Sequence, residues 1–291
     1  MDLPPRISLI EWKRPCKISL LSPAKLNLYL NVVGKYPGGY HRIQTVMTRI
    51  SLFDRVIIEK SKETKVICND KSLEKNNICL KVVNLLKKKL RIKEDFLIVL
   101  EKKIPPGTGL GGASSNAALT LLGINELLGL QLKEKELFAL GSKIGSDVNF
   151  FLAQAPFALV EGRGEKVTPW RLFWDLEYFV VCPKINVSTS LIYNKLRIKG
   201  KLTKLFSNVN IILYALRNKD YVFLKEGLFN ILEKTTLTCF SDLEKKVNVL
   251  KKLGFTMSGS GSAFFRIIER ENENNTHFCG RDFLAFRVKS F

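Results

Sequence analysis

Between residues 25 and 33 the chain reads KLNLYLNVV, in which Leu26, Leu28, Leu30 and Val32 alternate with Lys25, Asn27, Tyr29 and Asn31. A period of two sends neighbouring side chains to opposite faces, so the pattern predicts a half-buried strand whose polar face carries Lys25 and Asn27 together. A turn signal follows in YPGGYH, and QTVMTRISLFDRVIIEK then reads as extended. The period changes in NICLKVVNLLKKKL, where Ile78, Val82, Leu85 and Leu86 recur at helical spacing. DFLIVLEKKIP returns to a strand pattern and runs straight into a glycine-rich loop.

Beyond the loop, Ala117, Ala118, Leu121, Leu122, Ile124, Leu127 and Leu128 predict a helix that is apolar nearly all round and therefore buried. KEKELFALGSKIG predicts a second helix, and SDVNFFLAQAPFALVEGRGE mixes turn residues with short apolar runs. YFVVCP reads as a strand that Pro183 ends. Helical patterns near 209–217, 221–233 and 241–252 fill the C-terminal half, and a glycine cluster, MSGSGSAFF, leads into a strand pattern in AFFRII. Strands and helices without regular βαβ alternation predict an α+β fold. The length of 291 residues allows one large domain or two of ordinary size, and two lobes, 1–160 and 161–291, are expected.

The loop PPGTGLGGASSNAA carries the candidate chemistry. Glycines at the mouth of a helix leave backbone N–H groups at the positive end of the helix dipole and let an anion approach closely, which makes a phosphate cradle. Ser114 and Ser115 can add hydroxyl ligands to a phosphate oxygen or to a bound magnesium ion. The competing reading is a tight strand-to-helix turn whose glycines serve packing. The lysine of GxxxxGK[ST] is absent, as are the acidic residue of a dinucleotide fold and the motif set of protein kinases.

Composition adds limits. Lys and Arg number 47 against 27 Asp and Glu, a net charge of +20 that suits polyanionic partners. Most lysines fall on predicted helix surfaces, and no base-reading signature accompanies them, so no specific nucleic-acid partner is expected, although a basic nucleic-acid-binding protein stays open as an alternative. No apolar run reaches the roughly 18 residues of a membrane helix, and the N-terminal residues lack a secretory pattern, so a cytoplasmic protein with no membrane partner is expected. Six scattered cysteines and two histidines give neither zinc spacing nor a disulfide framework.

These motifs together are recognisable. PPGTGLGGASSNAA resembles the phosphate-binding motif of the GHMP kinases, SPAKLNLYL their first motif and MSGSGSAFF their glycine-rich third. SPAKLNLYLNVVGKYPGGYHRIQTVM, IGSDVNFFL and EGRGE narrow the likeness to a branch acting on a cytidine-diphosphate-linked alcohol of non-mevalonate isoprenoid synthesis. Homoserine- and mevalonate-type kinases of the superfamily are the alternative. The resemblance implies two α+β lobes and an ATP-dependent phosphotransferase with Mg2+, acting on a small molecule as a monomer or homodimer. It places ATP on Pro106, Gly107, Thr108, Gly109, Leu110, Gly111, Gly112, Ala113, Ser114, Ser115 and Asn116. Lys25 and Asp147 become the catalytic pair, and Asn27, Tyr40, His41 and Tyr193 the substrate contacts, with Tyr40 and Tyr193 stacking on cytosine. No metal ligand is assigned. Two positions depart from the family pattern: Asn149 stands where proline is common, and Ile231 where an acidic residue is.

Overall fold

A computed structural model describes residues 9–172, 174–197, 209–269 and 282–291. It groups them into two compact units that are interleaved along the chain. Unit one comprises the described residues up to Ala24, Leu52–Ile104 and Gly111–Ala155; unit two comprises Lys25–Ser51, Pro105–Leu110 and the described residues from Pro156 onward. Two long strands, β2 (Lys17–Lys35) and β3 (His41–Ser61), each divide their length between the units.

In unit one the sheet holds β1 (Ile10–Arg14), paired antiparallel with the start of β2, and β5 (Asp95–Glu101), paired antiparallel with the end of β3. A short β4 (Lys65–Cys68) runs parallel to β5. β5 alternates as its sequence does, burying Phe96, Ile98 and Leu100. Among its described residues the α-helices are α1 (Ile78–Leu90), α2 (Gly112–Leu128), α3 (Glu134–Ile144) and α4 (Val148–Leu152). The Asn77 side chain caps α1 by accepting from Cys79 N. α2 buries Ala117, Ala118, Leu119, Leu121, Ile124 and Leu127, each large side chain contributing about 1.5–3 kcal/mol. It touches the sheet at Gly123, where a Cβ would stand 2.5 Å from Ile58 Cδ1 and 2.9 Å from Leu20 Cδ1.

In unit two β6 (Phe157–Gly162) pairs antiparallel with the first part of β3 and with β7 (Lys166–Trp170). A second, antiparallel sheet is built around β8 (Glu177–Pro183). The helices are α5 (Thr189–Lys195), α6 (Val209–Asn218), α7 (Tyr221–Gly227), α8 (Leu232–Cys239) and α9 (Ser241–Lys252). Between α7 and α8 lies β9 (Phe229–Asn230), and β10 (Thr256–Met257), β11 (Phe264–Ile268) and β12 (Phe283–Lys289) join β8 in the order β10-β11-β8-β12. The expected α+β class is the observed one.

Three local expectations need correction. The helix expected over 221–233 is broken: Phe229 and Asn230 pair in parallel with Tyr29 and Leu30, and Ile231 N donates to Leu30 O. Asn230 leaves the helical path because its amide nitrogen is used on the carbonyls of Met257 and Gly259. The polar face of β2 is not solvated either, since Lys25, Asn27 and Asn31 are 3%, 2% and 4% exposed. Both faces of the strand are covered, so each polar group on it needs a partner within the protein. Finally, α4 forms inside the stretch read as turns and short runs, burying all five of its residues. Asn149 sits within it and donates to Ser142 Oγ at 2.9 Å, while Ile231 packs against the apolar cluster of unit two.

Candidate active site

Of the residues singled out by sequence, Lys25, Asn27, Tyr40, His41, Tyr193 and residues 106–110 belong to unit two, whereas residues 111–116 and Asp147 belong to unit one. Each set has its own geometry.

In unit two, β2 places Lys25 and Asn27 on one face, and Lys25 Nζ donates to Asn27 Oδ1. The orientation of that amide is set from behind. Thr45 Oγ1 gives its proton to Tyr29 O at 2.5 Å, so towards Asn27 it can only accept, which it does from Nδ2 at 2.9 Å. Asn27 therefore turns its carbonyl oxygen to the ammonium. A Cβ on Gly259 would stand 3.3 Å from Lys25 Nζ and 3.1 Å from Gly109 O. Glycine there lets two stretches of backbone and a lysine head meet.

Residues 107–110 are held by their carbonyls. Gly107 O accepts from Val187 N, Thr108 O from Ala263 N, Gly109 O from Ser258 Oγ and Leu110 O from Lys25 N. No amide of residues 107–114 donates in these bonds or in any other among the described residues. Gly107, Gly109 and Gly111 have φ of +70°, +79° and +75°, the left-handed region, and at Gly109 a Cβ would collide with the Ser258 carbonyl. Pro106 and Gly107 are exposed, while Thr108 is buried and donates to Pro105 O at 2.7 Å.

In unit one, Gly111 is the N-cap of α2 and no side chain caps that helix. Gly112, Ala113 and Ser114 are at least partly exposed at its first turn. Ser115 and Asn116 are buried beneath it: Ser115 Oγ accepts from Ser22 Oγ at 2.8 Å, and Asn116 Nδ2 donates to Ser22 Oγ and to Asp54. Asp147 occupies the N-cap place of α4, half-buried, without using its carboxylate as the cap. The turn before it passes the mouth of α2, since a Cβ on Gly145 would stand 3.9 Å from Ser114 Oγ.

The substrate candidates separate into two contacts. The His41 and Tyr193 rings lie 5.2 Å apart at 40°, whereas Tyr40 is 63% exposed with the Arg163 guanidinium 5.2 Å over its ring. Burial, and then the nearby Lys35 charge, pushes the His41 pKa below its ordinary value, so the neutral imidazole is favoured.

Sequence reasoning passed over the parts that hold this arrangement. Thr45, Ser258 and Asn230 set the amide and the turn, and Asp54 and Lys102 lie under the helix. MSGSGSAFF was visible as a motif, but only the fold shows which of its groups meet residues 107–110.

The family profile described as GHMP kinases N terminal domain matches residues 77–155. The 4-diphosphocytidyl-2-C-methyl-D-erythritol kinase of Acetivibrio thermocellus is 35% identical over 262 residues, covering 88% of this chain and 92% of that one. The protein of the same name from Clostridioides difficile is 35% identical over 264 residues, covering 88% of each. Among solved structures, a 4-(cytidine 5'-diphospho)-2C-methyl-D-erythritol kinase superposes with a TM-score of 0.74 at 29% identity, covering 94% of this chain and 99% of that one. The homoserine kinase of Cytophaga hutchinsonii, at 20% identity and a TM-score of 0.66 over 89% of this chain and 87% of that one, shares the fold.

Proposed function

The chain belongs to the 4-diphosphocytidyl-2-C-methyl-D-erythritol kinase family of GHMP kinases, and we propose that it transfers the γ-phosphoryl group of ATP to the 2-hydroxyl of that cytidyl alcohol. The observation that carries this reading is the bonding of residues 107–110. Their carbonyls are turned to the protein, and the amides of residues 107–114 are left for a ligand rich in acceptors. Those amides, at the uncapped start of α2, suit the phosphates of ATP.

In this reading Asp147 takes the proton of the acceptor hydroxyl as phosphorus is transferred, and Lys25 offsets the charge that develops on the transferring group. Asn27 and Thr45 keep the Lys25 ammonium in place, so little reorganisation is needed at the moment of reaction. Ser115 and Asn116 support the helix start from below, while Gly111, Gly112, Ala113 and Ser114 face the nucleotide. Tyr40 and Tyr193 provide ring faces for cytosine, with His41 at its edge.

Mg2+ would neutralise phosphate charge. Among the described residues no group of three or more His, Cys, Asp or Glu side chains could hold a metal, so the ion fits here as a companion of the ATP phosphates, with Ser114 as the hydroxyl at the helix mouth.

The test is a panel of alcohols incubated with the purified chain, ATP and Mg2+, reading ADP release. Release is expected with the cytidyl alcohol and much less with homoserine or mevalonate. A preference for either of those two would reject the acceptor.

A further inference from the structure

One buried carboxylate connects the chain on both sides of the glycine-rich loop. Asp54, on β3, is 1% exposed. Its Oδ1 accepts from Lys103 N at 2.7 Å and Ile104 N at 2.9 Å, the two residues that precede PPGTGLGG. Its Oδ2 accepts from Asn116 Nδ2 at 3.0 Å, in the first turns of the helix that follows the loop, and from Lys102 Nζ. Lys102 in turn donates to Asn116 Oδ1 at 2.9 Å. From Asn116 the network continues through Ser22 Oγ to Ser115 Oγ. All of these residues lie in unit one.

A buried ionic network of this kind is a poor means of adding stability, because an apolar core of the same volume does as well or better. What it supplies is register, since each member has its acceptor or donor in one arrangement only. The Lys102 ammonium also lies against the first turn of α2, 3.1 Å from where a Cβ on Gly112 would stand. A cation at the positive end of a helix is unfavourable by itself. The Asp54 carboxylate against it makes the arrangement tenable, and Gly112 makes room for it.

The geometry points to Asp54 as a positioning residue for the phosphate loop, acting through the backbone of Lys103 and Ile104 and through the Lys102–Asn116 pair. This rests on the reading that residues 107–114 bind the phosphates of ATP. Asp54 is buried away from any ligand; it sets where the loop begins and where the helix after it starts.

Two variants of the full chain test it, Asp54→Asn and the milder Ser22→Ala, with equilibrium affinities for ATP and adenosine as the readout and a thermal melt to establish that each is folded. Adenosine lacks the groups that the loop would hold. For Asp54→Asn the affinity for ATP is expected to fall by about tenfold or more while that for adenosine stays within about twofold; for Ser22→Ala the same ratio should fall by about two- to fivefold. In turnover, the KM for ATP should rise while the KM for the alcohol stays level. An unchanged ratio of ATP to adenosine affinity in folded Asp54→Asn overturns the inference, and if that variant does not fold, an unchanged ratio in Ser22→Ala does so. A parent protein that binds ATP but phosphorylates a different alcohol would reject the proposed acceptor, and the affinity ratio of the variants would still decide the role of Asp54. A parent that binds no ATP would remove both.

Discussion

The chain has two glycine-containing stretches, residues 105–112 and 257–262, and they use their backbones differently. In the first, four successive carbonyls are accepted into the protein's hydrogen bonding and the amides are left over. In the second, half of the amides are engaged as well: Met257 N donates to Glu233, Ser258 N to Ala263 O and Gly261 N to Ser258 O, while those of Gly259, Ser260 and Ser262 donate to no group among the described residues. Its carbonyls at Met257 and Gly259 accept from Asn230, and that of Ser260 from Thr236. The lesson is that glycine content marks close approach of backbone, while the hydrogen bonds separate a stretch whose amides are all left over, and which is proposed to hold phosphate, from one that serves more as a clamp.

The strongest way to break this comparison is to remove the chemistry and ask whether the first stretch still binds. Asp147→Asn keeps the shape of the side chain and should lower turnover by about 10²–10⁴-fold while ATP affinity is retained; comparable loss of both would mean that binding and catalysis do not separate as described. Next in size is Gly111→Val, which forces a β-branched residue to a φ of +75° at the helix mouth. ATP affinity should fall at least about tenfold in protein that still melts cooperatively, and titration by calorimetry reads it directly. The second stretch should answer differently. Asn230→Ala leaves two carbonyls without their side-chain donor and should cost about 1–3 kcal/mol of stability, with the KM for ATP little changed. A large rise in that KM without loss of melting temperature would show that the clamp is itself a binding surface.

The smallest effect lies outside both stretches and serves as a control. The lowered pKa of His41 means that the unfolded chain binds a proton more readily than the folded one. Its contribution to stability is therefore present above the ordinary histidine pKa of about 6.5 and is lost as pH falls through the lower folded value. Melting temperatures of the parent and of His41→Gln, taken between pH 5 and 7.5, should converge toward the acid end.

Much of the fold is legible locally. The strict alternation of DFLIVLE gives β5, and the all-round apolar run after the loop gives the buried α2, because period and burial agree in both. The alternation of KLNLYLNVV is equally plain, yet a period of two cannot say whether the polar face meets water or protein. Asn27 and Asn31 are both buried, and the backbone of Asn27 donates to Ser258 Oγ, far along the chain. The break at Asn230 is hidden for a related reason, since its cause, two carbonyls at 257 and 259, lies almost thirty residues away. Asp54 was unreadable as well. A single carboxylate in a strand pattern resembles any surface charge until the residues before the loop and Asn116 are seen to converge on it.

The interleaving of the two units bears on how the chain matures as it leaves the ribosome. The backbone passes between them at 24/25, 51/52, 104/105, 110/111 and 155/156. Every segment of unit one has been made once Ala155 is synthesised. At that moment residues 25–51 have been made without β6, β9 or the rest of their own unit, although Leu26, Leu28, Leu30, Val46 and Met47 are all buried in the finished protein. Domains that fold in the order of their synthesis avoid such an interval. Here the segment carrying Lys25 lacks its parallel partner for at least 75 further residues, until Asn230 of β9 is made.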